Sequence, residues 1–154
     1  MYTIVDIMDK LIEIEENLLN FYKQLQMDMK IEERVKLAAG VLAREERRHI
    51  ITYKGIKKEI SNFKDIEIDF DIYDSASKII LEFKRGLIYS EVSDVKKLLS
   101  CALDFEHRNI ALIIRIQGLL VRSMEDTQTN SYKALTKIIH EEEQHVNMIK
   151  IFLR

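Results

Sequence analysis

Glu46 and His49, and again Glu142 and His145, stand three residues apart. On a helix this spacing projects both side chains from one face, so a carboxylate oxygen and an imidazole nitrogen can reach a common metal ion. One such pair is a weak signal, because glutamate is frequent here and Asp104 with His107 repeats the spacing off any apolar seam. Two further glutamates strengthen it: Glu15 falls between Leu11 and Leu18, and Glu106 between Ala102 and Asn109, each interrupting an apolar stripe. Carboxylates buried without compensation would cost on the order of several kcal/mol each and rise in pKa. Four glutamate charges instead balance two divalent cations, so the expected ligand set is Glu15, Glu46, His49, Glu106, Glu142 and His145. Oxygen-rich donors with imidazole and no thiolate suit iron or manganese better than a structural zinc, and iron is favoured. Glu45 and Glu141, each four before the same histidines, are alternative ligands that sit off the seam centre. His107 and His140 read as surface histidines.

Positioning these residues requires long helices. Apolar residues recur in steps of three and four at Ile4, Ile7, Leu11, Ile14, Leu18, Tyr22 and Leu25, which predicts a helix over 4–27. Thr3 with Asp6 reads as its capping box, and the polar stretch near Asp28 closes it and can cap the next helix. A second helix is expected over 30–60, its stripe running through Val35, Ala38, Leu42, Glu46, His49, Tyr53, Ile56 and Ile60. A third covers 93–120, with Val95, Leu99, Ala102, Glu106, Asn109, Ile113 and Ile116 inward. A fourth covers 130–152, with Leu135, Ile138, Glu142, His145, Ile149 and Phe152 inward. Between the second and third, SNFKDIEIDFDIYD alternates apolar and acidic residues. That pattern permits a short strand, but no partner strand is apparent, so an extended crossover with a solvated acidic rim is preferred, followed by a short helix over 75–89. The segments around Glu15 and Glu106 echo each other, as do AREERRHI and HEEEQHVN. The chain thus reads as two helical hairpins, each supplying a lone Glu and then Glu-x-x-His. Counting residues to the helix ends brings Glu106 level with His145, and leaves Glu15 and Glu46 about 6 Å out of level.

Composition narrows the function classes. With 154 residues the chain is expected to be a single domain, 1–154, around one core. Twenty-four basic against 26 acidic residues leave a net charge of −2, which argues against nucleic acid as a partner. The absence of proline and the four scattered glycines exclude a glycine-rich phosphate loop and favour an all-α protein. Cys101 is the single cysteine, so no cysteine pair can hold zinc or a rubredoxin-type iron, and a reducing, cytoplasmic setting fits. The acidic N-terminal decapeptide and a longest apolar run of Ile110–Ile114 show no export signal or membrane span.

At LIEIEENLLNFY, LAREERRH, ALDFEHRNI and KIIHEEEQH the chain resembles the rubrerythrin-like branch of the ferritin-like superfamily, and the helix order extends that resemblance over essentially its whole length. The resemblance implies a ferritin-like antiparallel four-helix bundle of two hairpins, with a long crossover carrying an extra short helix. It also implies a centre of two iron ions, with manganese possible. Glu46 and Glu142 would lie near the histidine-bound metals, and Glu15 or Glu106 would bridge or cap. Three departures follow from the residues. The missing cysteine pairs imply a separate electron donor protein such as a rubredoxin. Asn109 stands where rubrerythrins carry an extra glutamate; it can hydrogen-bond around the ligands, but redox-linked iron movement is placed in doubt. Ile113 stands where Tyr22 stands in the first half, so the halves are not equivalent near the metals. Tyr22, two turns from Glu15, is a candidate to hydrogen-bond a ligand or donate an electron, against the plainer reading of a packing tyrosine; Tyr53 is read in the same way.

The function expected from the ligand set and the resemblance together is an oxidoreductase that reduces hydrogen peroxide or O₂; the long crossover with its extra helix argues against the cage subunit that storage requires, and a homodimer is expected. Iron handling as in bacterioferritin, a manganese catalase, and a metal-free helical interaction protein are the competing readings.

Overall fold

The structure, a computed structural model, describes residues 1–87, 89 and 91–154. Five α-helices dominate these residues: α1 (Ile4–Met27), α2 (Glu33–Ile60), α3 (Phe70–Arg85), α4 (Val95–Leu119) and α5 (Asn130–Leu153). Two strands of two residues, β1 (Tyr2–Thr3) and β2 (Glu67–Ile68), and a 3-10 turn at Met124–Gln128 complete the elements. The protein is an all-helical bundle whose closest packing is within two pairs, α1 with α2 and α4 with α5. Short connections join the members of each pair, which therefore run antiparallel, and α2 also packs on α4 and α5.

The apolar period accounts for the bundle. On α1, Ile4, Ile7, Leu11, Ile14, Leu18 and Tyr22 are all buried, as the stripe predicts, and the Thr3 N–H donates to Asp6 Oδ2 at 2.8 Å at the expected cap. On α2, Val35, Leu42, Ile56 and Ile60 face the core, but Ala39 takes the buried place expected of Ala38. That helix starts at Glu33, with Glu32 rather than the Asp28 region at its N-cap; Asp28 instead accepts from the Lys30 N–H at 2.9 Å within the connection. The later start brings Glu15 and Glu46 level to about 1.5 Å along the axis, removing the expected offset. Leu99, Ala102, Ile113, Ile116, Leu135, Ile138 and Ile149 are buried on α4 and α5. Val95 is half-buried and Phe152 is exposed, because both lie in end turns with less of the neighbouring helix to cover them.

The crossover departs most from expectation. Its SNFKDIEIDFDIYD segment does find a partner strand: Ile68 pairs with Tyr2 and Glu67 with Thr3 in an antiparallel ladder, continued by the Ile4 N–H to Ile66 O at 2.8 Å. Ile66 and Ile68 are buried and Glu67 between them is exposed, so the alternation is that of a strand with one dry face. The acidic rim is not merely solvated. Asp69 and Asp71 hold Arg122 at 2.8 and 3.0 Å, and Asp65 accepts from the Asn130 N–H at 2.8 Å at the start of α5. Helix α3 begins five residues before the expected Ser75, with Asp69 at its N-cap, and ends at Gly86. The expected extension to residue 89 runs through position 88, which lies outside the described residues. No helix of the described residues is long and apolar enough to cross a membrane.

Candidate metal centre

Four helices each deliver a carboxylate to one place in the core: Glu15 from α1, Glu46 from α2, Glu106 from α4 and Glu142 from α5. His49 and His145 arrive with them, one turn beyond Glu46 and Glu142, and none of the six is more than 1% exposed. Their donor atoms form three overlapping groups: Glu46 with His49 and His145, Glu15 with His49 and Glu142, and Glu106 with Glu142 and His145. Within each group, one donor atom per residue lies within 4.8 Å of the others. His49 Nδ1 is 3.4 Å from Glu142 Oε1 and 3.8 Å from Glu46 Oε2. His145 Nδ1 is 3.2 Å from Glu106 Oε1 and 3.8 Å from Glu46 Oε1. The imidazoles meet edge to face at 4.5 Å between centroids. Glu46 therefore addresses both histidines, one with each oxygen.

Two uncharged side chains touch the carboxylates. The Tyr53 hydroxyl, one turn beyond His49, is in hydrogen-bond contact with Glu15 Oε1 at 3.1 Å and with Glu142 Oε1. Asn109, one turn beyond Glu106, donates from Nδ2 to the same Glu15 Oε1 at 2.8 Å. Tyr22 is as deeply buried as Tyr53, yet its hydroxyl has no hydrogen-bond partner among the described residues. Tyr22, a candidate for such a contact, makes none among the described residues and fits the plainer reading of a packing tyrosine, whereas Tyr53, read in the same way, reaches two carboxylates. Glu45 and Glu141, the alternative ligands, both bind Arg48 at 2.9 Å outside the cluster. His107 and His140 are exposed, as expected.

Crowding carboxyl groups in a dry place shifts their protonation. Burial, reinforced by Glu142, pushes Glu15 up to about 7 from 4.5. Burial likewise raises Glu106 and Glu142 to about 7, with neighbouring carboxylates adding to it, and holds Glu46 well above its ordinary range. Burial works against a charge on His49, but Glu142 and the other carboxylates outweigh it and raise the imidazole to about 9. His145 goes the other way, lowered to about 4 by burial and by the nearby His49. Tyr53 is raised well above 10 by burial and by Glu142 and Glu15, so it remains a proton donor at neutral pH.

The donor set fits metal ions on a further observation. Among the described residues, thirteen buried side-chain polar atoms lack a hydrogen-bond partner, and ten belong to these six residues: one oxygen each of Glu15 and Glu142, both oxygens of Glu46 and Glu106, and both ring nitrogens of His49 and His145. Buried polar atoms are normally satisfied, and cations coordinated by these oxygens and nitrogens would satisfy most of them. The cluster is thus a group of buried carboxylates and imidazoles within reach of a common metal ion. Comparison with family models, curated proteins and solved structures finds no match to this chain.

Proposed function

We propose that the chain is a ferritin-like, rubrerythrin-like non-haem oxidoreductase whose six buried ligands hold two iron ions, or two manganese ions, and which reduces hydrogen peroxide or O₂ with electrons from a separate donor protein. The observation that carries this reading is the overlap of three Glu/His groups in one dry core, supplied twice over by the same order of a lone Glu and then Glu-x-x-His. Glu46 and Glu142 share groups with both histidines, so each would serve either cation, whereas Glu15 and Glu106 each fall in one group and would serve one. Four carboxylates balance two divalent charges, which removes the cost of burying them.

When bound, two ferrous ions supply one electron each, the two electrons that reduction of peroxide to water consumes. The chain's own residues bind and orient. Leu11, Ile14, Leu18, Leu42, Ile113 and Ile138 surround the seam and exclude bulk water. Tyr53 keeps its proton and fixes Glu15 and Glu142 through Oε1, and Asn109 fixes Glu15 a second time. In this reading the electrons come from a separate donor protein, because Cys101 is the single cysteine of these 154 residues.

The test is to load the protein anaerobically, count metal per chain, and mix the ferrous form with peroxide or O₂ in a stopped-flow spectrometer. About two metal ions per chain are expected, with rapid oxidation by one of the two oxidants. Slow oxidation by both refutes the oxidoreductase, and a large hollow assembly by light scattering would favour iron storage. Absence of bound metal would leave an interaction bundle.

A further inference from the structure

The two halves supply matching ligands but unmatched neighbours. Asn109 stands three residues after Glu106; the position three after Glu15 is Leu18. Tyr53 stands four after His49; the position four after His145 is Ile149. Both counterparts are buried and apolar. Among the described residues, every hydrogen bond from a neutral side chain into the cluster therefore comes from one member of each pair, and all of them fall on Glu15 Oε1 and Glu142 Oε1; Glu46 and Glu106 receive none on either oxygen.

These bonds divide the metal-binding groups unequally. The group of Glu15, His49 and Glu142 contains both held carboxylates, and each of them keeps Oε2 without a partner. The group of Glu106, His145 and Glu142 contains one held carboxylate and Glu106, which among the described residues accepts from no neutral side chain. A ligand already held in place loses less conformational freedom on binding, and hydrogen-bond partners behind a metal ligand typically contribute about 10–100-fold in affinity.

Resting on the bimetallic reading above, we infer that the two cation positions are chemically unequal: Tyr53 and Asn109 preorganise the Glu15–His49–Glu142 position to fill first and tightly, while the Glu106–His145 position fills second and loosely, its Glu106 carboxylate unclamped. The asymmetry belongs to this chain's side chains and not to the ligand types, which are the same in both halves. Tyr53 and Asn109 are positioning residues, since they act through Glu15 and Glu142.

The experiment is an equilibrium titration of metal-free protein with Mn²⁺, which is not oxidised under the assay conditions, reading unbound Mn²⁺ by its electron paramagnetic resonance signal. Repulsion between two bound cations would also separate the steps, so the positions are isolated with single-histidine variants. H145A, which keeps the Glu15–His49–Glu142 group, should bind one Mn²⁺ at least about 10-fold more tightly than H49A, which keeps the Glu106 group. Adding N109L to H145A should weaken that binding by about 10–100-fold, whereas N109L in H49A should leave affinity within about 3-fold because Asn109 touches only Glu15; Y53F, which releases Glu142 as well as Glu15, should weaken H145A by about 10–100-fold and H49A by less. Far-ultraviolet circular dichroism checks that each variant keeps its helices, and Y53F, which changes no volume beyond one hydroxyl, serves if N109L does not fold. Equal affinities in H145A and H49A, or no effect of Y53F in the H145A background, overturn the inequality while leaving the bimetallic centre standing. Failure of the unaltered protein to bind any Mn²⁺ overturns both.

Discussion

Without metal, the protein should become less stable as pH rises from 4.5 to 7, the reverse of the usual behaviour of a domain held together by paired carboxylates. Glu15, Glu106 and Glu142 have folded-state pKa values raised from 4.5 to about 7, so the folded chain binds protons more tightly than the unfolded chain. Their stabilising contribution is complete below pH 4.5 and is lost as pH climbs to about 7. Each shift corresponds to on the order of 3 kcal/mol. His145, lowered from 6.5 to about 4, acts oppositely: its contribution is present above pH 6.5 and is lost as pH falls toward 4. The three carboxyls raise one another, so their contributions do not simply add; with His145 acting oppositely, the net change across the window is a loss on the order of a few kcal/mol. Glu46, raised further, adds to the loss, and His49, raised to about 9, extends it from pH 6.5 to 9. Divalent cations reverse the trend, because they bind deprotonated ligands and so bind better as pH rises. Urea unfolding followed by circular dichroism at pH 5, 6 and 7.5, with chelator and with Mn²⁺, measures both slopes. E106Q, which removes one titrating group, should make the chelated slope shallower. A metal-free protein as stable at pH 7.5 as at pH 5 would refute the reasoning.

Four other outcomes follow from the structure. E46A should cut bound metal by at least half, measured by elemental analysis, because Glu46 is the carboxylate that addresses both histidines. L42A, in the packed seam of α2, should destabilise the metal-free protein by about 2–5 kcal/mol in urea unfolding at pH 5, where the carboxyls of the cluster are protonated. D65A removes the acceptor for the Asn130 N–H at the start of α5 and should cost about 1 kcal/mol in the same assay, with no change in metal content. H107A, on the exposed face of α4, should leave metal content and unfolding midpoint unchanged, and a loss of metal there would show that the ligand set is wrong.

Much of this site is legible along the chain because the rule that carries it is local. A residue's face on a helix depends only on its distance from its neighbours, so the interruptions at Glu15, Glu46, Glu106 and Glu142 expose themselves without knowledge of the fold. The same rule marks His49 and His145, and separates them from the exposed His107 and His140. It fails where partners lie far apart in sequence. The strand at Glu67–Ile68 exists because its partner is at Tyr2–Thr3, and nothing within the segment itself announces that pairing. Helix α3 begins early, directly after the strand, and Asp69 at its N-cap position pairs its carboxylate with Arg122 far along the chain, a contact that periodicity does not register.

Tyr53 and Tyr22 show where the boundary falls. Both lie on inward stripes two turns or less from a ligand, and sequence treats them alike. Which hydroxyl reaches a carboxylate depends on how α2 is set against α1 and α5, and that is settled by the packing of whole helices. Asn109 meeting Glu15 across the bundle, not its own neighbour Glu106, has the same origin. Sequence alone determined which residues turn inward and in what order, since helical geometry repeats every few residues. The tertiary structure decided which of them touch, since contacts across helices depend on register and rotation that only the assembled core selects.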